Sequence, residues 1–178
     1  MLPLSAPNAS VNLSALLCFA TGPNLYLALA RKRLHRKRLR KGRAVSRKIE
    51  PEGWPRASGY AHGIVAEGRF LAVAGQIGWN ERHELVSNDF LEQAGQALRN
   101  VVTVLRAAGG EPAHLVRLTW YVTDKREYID NAAALGAAYR EIVGTHYPAM
   151  ALVQVADLLE DGAKVEIEAT AILPPTSS

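Results

Sequence analysis

Two carboxylates, Glu166 and Glu168, interrupt an otherwise apolar run, Val165-Glu166-Ile167-Glu168-Ala169. Set two residues apart, they share one face of a strand, while Val165, Ile167, Ala169 and Ala171 share the other. A carboxylate beside an electrophilic carbon can take a proton from water and hand one to a leaving group. Upstream, His146-Tyr147-Pro148-Ala149-Met150-Ala151-Leu152-Val153-Gln154-Val155 gives a second apolar strand a polar entry. Gly75-Gln76-Ile77-Gly78 closes a third, where the backbone must turn or be approached closely. Other chemistries lack their parts. His62, His83, His114 and His146 show no metal-ligand spacing and read as turn, cap or surface residues. Gly75-x-x-Gly78 is not a phosphate loop, and neither a G-x-S-x-G nor a Walker pattern is present. The single cysteine, Cys18, lies outside residues 50–178, so that region holds no thiol nucleophile, and cysteine usage points to a reducing, cytoplasmic compartment.

The elements that would position these residues follow from periodicity. Ile64-Val65-Ala66, a turn at Glu67-Gly68 and Phe70–Ala74 predict a hairpin. From Asp89 to Ala108, Phe90, Ala94, Ala97, Val101, Leu105 and Ala108 recur at three- and four-residue steps, and Gly109-Gly110 stops the helix. Leu115–Val122 alternates, with Val116, Leu118, Trp120 and Val122 on one face and Arg117, Thr119 and Tyr121 on the other. Asp124 and Glu127 have capping-box spacing before a helix whose stripe is Tyr128, Ala132, Leu135, Tyr139 and Ile142. Strands over Ala151–Val155 and Lys164–Ile172 complete the order β-β-α-β-α-β-β, an α+β domain with two helices on one face of a sheet. The carboxylates then fall on the uncovered face, beside Arg117, Thr119 and Tyr121. Such a face suits a subunit interface with wet clefts, or plain solvent. Trp79 and Trp120 read as packing groups.

Charge divides the chain. Residues 1–49 hold 11 Lys/Arg and no acid; residues 50–178 hold 10 Lys/Arg against 17 Asp/Glu. The formal +4 is therefore +11 with −7, and the domain at 50–178 is a poor surface for a phosphate backbone. No nucleic-acid partner is expected for it. Val11–Ala30 is fairly apolar, about the length of a membrane span, though Gly22-Pro23 interrupts it, and Arg31–Arg43 packs nine Lys/Arg into thirteen positions. Three readings stand for this basic extension. It is a membrane anchor with a polybasic flank, an organelle presequence, or sequence called too far upstream of a true start near Val45. Membrane contact is expected only under the first.

Gly59-Tyr60-Ala61-His62-Gly63, Ala74-Gly75-Gln76-Ile77, the Asn100–Gly109 helix end, Val122-Thr123-Asp124, Tyr147-Pro148-Ala149 and Val165-Glu166-Ile167-Glu168-Ala169 stand in one order. From about Trp54 to Pro174 the chain resembles the RidA/YjgF family of imine and enamine deaminases, once described as L-PSP endoribonucleases. The resemblance implies a chorismate-mutase-like fold, a homotrimer with ligand clefts between subunits, no metal and no cofactor. It implies that Glu166 positions or activates the attacking water, that Gly75 edges the pocket, and that Tyr60 closes the cleft. The family's carboxylate-binding arginine falls on Met150, and a cysteine two residues later falls on Leu152. A pocket asparagine could be matched to Asn131 or Gly136.

Met150 changes the chemistry implied. A guanidinium–carboxylate fork is worth a few kcal/mol and fixes orientation; a thioether offers neither. Without that anchor, 2-imino acids should lose on the order of 100-fold in kcat/KM. The expected substrate is a small reactive metabolite other than the usual 2-imino acids. Two alternatives from other classes remain: a non-catalytic trimer binding a small metabolite in the same cleft, and a ribonuclease or RNA binder acting through residues 31–48.

Overall fold

The computed structural model describes residues 45–175; the readings of the basic extension up to residue 44 lie outside them. Among the described residues six strands and three α-helices run in the order β1 (Val45–Ile49), β2 (Gly63–Glu67), β3 (Arg69–Gln76), α1 (Phe90–Ala107), β4 (Leu115–Val122), α2 (Lys125–Asp130), α3 (Ala132–Ile142), β5 (Ala149–Gln154) and β6 (Val165–Leu173). β3, β6, β4 and β5 form one sheet in that spatial order, with β6 antiparallel to both neighbours and β5 parallel to β4.

α1 forms where the periodicity places it. The Asp89 carboxylate accepts from the Glu92 amide at 2.9 Å and caps the first turn. Phe90, Ala94, Ala97, Leu98, Val101 and Leu105 are buried against the sheet. Gly109, at φ +79°, ends the helix by donating to the Arg106 carbonyl at 2.9 Å. α1 crosses β6 and packs against α3. Between helices and sheet lie Leu118, Trp120, Val122, Val165, Ile167, Ala169 and Ala171, the strand residues expected to face inward.

Four expectations are corrected. β2 and β3 do not pair as a hairpin: β2 pairs with β1, Val45 opposite Glu67, and β3 pairs with β6. Gly68, between them, lies against the Leu173 carbonyl at the end of β6, where a Cβ would have no room. The fold thus takes in the five residues of β1, which the charge boundary assigns to the extension. The second helix is two, broken at Asn131, whose side-chain amide donates to the Glu127 carbonyl at 2.8 Å and competes with the helical ladder. The capping box does not close: Asp124 accepts from the Arg126 amide, while Glu127 pairs with Lys164. In β4 the alternation slips at a bulge, where Leu115 and Arg117 lie opposite Ala171 and Thr170; Leu115 is buried and Val116 only half-buried.

Candidate functional site

The helix-free face of the sheet carries Phe70, Thr119, Tyr121, Val153, Glu166, Glu168 and Thr170. Register fixes this: Thr119 lies opposite Glu168 and Ala151, and Tyr121 opposite Glu166 and Val153. Phe70 is 70% exposed, an apolar ring on an uncovered sheet.

On this face the structure brings Glu166 and Gly75 together. Val73 is opposite Ala169 and Gln76 opposite Ile167, so β3 carries an extra residue at Ala74-Gly75 and bulges. The bulge lays the glycine backbone on the Glu166 side chain. A Cβ at position 75 would stand 2.8 Å from Glu166 Cγ and 2.5 Å from its Cδ, and closer still to Oε1. Only a glycine leaves the carboxylate its place. The resemblance assigns both residues to one pocket, and the fold makes them neighbours.

Behind the pair lies an amide network that the sequence reading missed. Gln93, fully buried on α1, donates to the Ser87 and Gly162 carbonyls at 2.8 and 2.9 Å, and its Oε1 accepts from the Lys164 amide at 2.8 Å. This fixes the chain immediately before β6, two residues from Glu166. Gly78 gives it room, since a Cβ there would meet Gln93 Cα at 2.6 Å. Asn100 donates to the Ile77 and Trp79 carbonyls at 3.1 and 2.9 Å, and Gln96 donates to Asn100 at 2.9 Å. The available signal was three amides at 93, 96 and 100, one helical flank aimed at the loop after Gly75.

Glu168 serves its neighbour. Tyr121 donates to it at 3.1 Å, and that bond, with desolvation and the nearby carboxylate charge, holds the phenol above its usual range while Arg117 opposes the shift. Arg117, Thr119, Glu168, Thr170 and Ala72 line a shallow depression of about 190 Å³ on the same face.

Met150 and Leu152 lie elsewhere. They are opposite Leu118 and Trp120, both buried, and pack on the helix side of the sheet. Within one chain they cannot share a pocket with Glu166. Met150 instead lines a second depression with Gly59, Trp120, Gly136, Tyr139 and Tyr147. Tyr60, 40% exposed, sits edge-on to His62 at 5.5 Å. Its neighbour Ala61 donates to the Pro148 carbonyl at 2.9 Å and bridges to Ala149, so the Tyr60 segment is stitched to the head of β5. Thus Tyr60 and Met150 belong to one region, and Gly75 and Glu166 to another. Of the pocket-asparagine matches, Gly136 lines the depression with Met150, and Asn131 is used at the helix break.

The four described histidines take local roles. His114 Nδ1 accepts from the Glu111 amide at 2.9 Å, His83 stacks on Trp79, and His146 Nε2 and His62 Nε2 lie 2.7 and 3.0 Å from the Leu115 and Pro55 carbonyls. Among the described residues no helix is long and apolar enough to cross a membrane.

Comparison with known proteins places the chain among relatives of one family. The family model described as Endoribonuclease L-PSP matches residues 54–173. The 2-iminobutanoate/2-iminopropanoate deaminase of Escherichia coli K12 is 35% identical over 129 residues, covering 72% of this chain and 98% of that protein. The human protein of the same name is 33% identical over 136 residues, covering 75% and 95%. Among solved structures, YyfB of Yersinia pestis, of the Rid protein family, is 37% identical with a TM-score of 0.64, over 72% of this chain and 98% of that one. Match length, identity and shared fold together place the chain in the Endoribonuclease L-PSP family, the family of RidA and YjgF.

Proposed function

We propose that this protein hydrolyses an imine or enamine, with Glu166 as the proton shuttle, in a homotrimer whose clefts join two copies. The observation that carries the reading is the Glu166–Gly75 pair: a half-buried carboxylate held on the uncovered sheet face by a bulge that admits no side chain. The named deaminase relatives supply the reaction class. Water adds to the C=N carbon as Glu166 takes its proton and returns one to nitrogen. The carbinolamine then loses ammonia and leaves a carbonyl compound. An enamine first takes a proton at carbon to become the imine.

The trimer is supported by what one chain lacks. Glu166 and Met150 stand on opposite faces of the sheet, so a pocket using both draws them from different copies. The exposed Phe70 and Val153 would be covered in such an assembly. The substrate is a small metabolite other than the usual 2-imino acids, because a thioether at 150 cannot fork onto a carboxylate. The test is ammonia release by the full chain from imines generated in situ by an amino-acid oxidase, 2-imino acids beside carboxylate-free imines. Turnover of the latter that disappears in Glu166→Gln supports the proposal; turnover unchanged in Glu166→Gln overturns it.

A further inference from the structure

The depression that holds Met150 has a volume of about 160 Å³. Its walls are aromatic and apolar: Trp120, Tyr128, Tyr139 and Tyr147 with Leu135 and Met150, and none of its lining residues is Arg, Lys, His, Asp or Glu. Tyr139 and Tyr147 stack at 5.3 Å, and Tyr128 stands edge-on to Trp120 at 6.2 Å. The Tyr139 hydroxyl is already spent on the His146 carbonyl, at 2.8 Å. A space of this size, lined by such side chains, takes about one six-membered ring, and is too small for a whole drug-sized ligand.

One of these lining side chains, Trp120, carries an atom that is out of balance. Among the described residues Trp120 Nε1 is the one buried side-chain nitrogen or oxygen without a hydrogen-bond partner, and Trp120 is 2% exposed. Leaving such a donor unpaired costs about 1–3 kcal/mol, and more than nine in ten buried polar groups avoid it. Met150 beside it is unbranched, the side chain best able to change rotamer and open a path to its neighbour.

We propose that this depression is the specificity pocket for the carbon substituent of the substrate, and that it selects a neutral, ring-sized apolar group bearing a hydrogen-bond acceptor for the Trp120 indole N–H. A carboxylate is disfavoured, because no lining residue is a cation and Arg140, beside Gly136, is exposed to solvent. The inference rests on the imine hydrolase reading for the role of the pocket, but its binding chemistry is measured without turnover. Gly136 supplies the means. It lies in α3 on the pocket wall, its φ is not positive, and a Cβ there meets nothing nearer than Arg140 Nη1 at 3.5 Å. Gly136→Leu therefore adds a side chain at a pocket-lining helix position that tolerates one, and leucine is the better helix former.

The experiment is a binding titration of the full chain with benzamide, benzoate and toluene, followed by ligand-observed NMR, with thermal melting of each variant. Benzamide should bind at least about tenfold tighter than benzoate. Gly136→Leu should abolish benzamide binding at unchanged Tm. Trp120→Phe should weaken benzamide by roughly fivefold and leave toluene unaffected. Benzoate binding as tightly as benzamide, or benzamide indifferent to Gly136→Leu, overturns the proposal. Benzamide binding of the expected pattern in a protein that hydrolyses no imine leaves the pocket standing and removes the hydrolase. Glu166-dependent turnover in a protein that ignores benzamide does the reverse.

Discussion

Gly75→Ala separates the position of the carboxylate from its presence. The added methyl would stand 2.5 Å from Glu166 Cδ, where carbon atoms rest comfortably at about 3.5–4.0 Å. The carboxyl group must therefore move by at least about 1 Å. What is struck is the far end of a flexible side chain, so the strand can stay where it is. Gly75 has no positive φ, and alanine there restricts the unfolded chain, a gain of about 0.4–1 kcal/mol that offsets the lost contact. Tm should shift by less than about 4 °C. A displacement of that size at a proton-transfer group costs about 100-fold in rate, or roughly 2.7 kcal/mol of transition-state stabilisation. The assay is ammonia release, read as kcat/KM for wild type, Gly75→Ala, Glu166→Gln and the double variant. If the glycine acts only by seating the carboxylate, the double variant is no slower than Glu166→Gln alone. Wild-type kcat/KM in Gly75→Ala, or losses that simply add, would refute the assignment.

Met150→Arg should raise kcat/KM on 2-imino acids by on the order of 100-fold relative to carboxylate-free imines; an unchanged ratio would show that position 150 does not face the substrate. Gln93→Leu leaves two carbonyls and one amide without partners in the interior and should cost about 3 kcal/mol in urea unfolding; a loss below about 1 kcal/mol would mean that water replaces the amide. For pH, the Tyr121 phenol is held above its ordinary value of 10.0, first by its bond to Glu168. A raised folded-state pKa makes the contribution complete below pH 10 and lost as the pH climbs through the folded value. Phenolate absorbance, taken as wild type minus Tyr121→Phe, should show this late titration, and Glu168→Gln should bring it back toward 10.0; titration at the same pH in Glu168→Gln would sink the account.

Periodic elements were legible because their patterns are local. α1, β4 and β6 stand where three-, four- and two-residue repeats put them, and Ile167 and Glu168 face opposite ways as alternation demands. Pairing was not legible. Nothing in Ile64–Ala74 says that β2 will choose Val45–Ile49 and β3 will choose β6, since strand partners are set by packing across the whole sheet. The Asn131 break was open to inspection, for a short amide in a helical stripe can bond to its own backbone. At the site, Glu166 and Gly75 could be joined only through the family resemblance, because a bulge and 90 residues of chain separate them in sequence. The two faces of β5 could have been read by setting Met150 beside buried Leu118, but that needs the parallel register.

The placement of Met150 and Glu166 on opposite faces of one sheet has a consequence for inheritance. Under the proposed assembly, each copy lends its acid to one site and its apolar pocket to another. A lesion in one half and a lesion in the other are then complementary alleles. Mixed assemblies of the two would regain some whole sites, although neither parent has any. By the same arithmetic an allele defective in one half spoils one site for each copy it contributes, whereas an allele defective in both halves spoils up to two, so selection would act on the collective rather than on the chain.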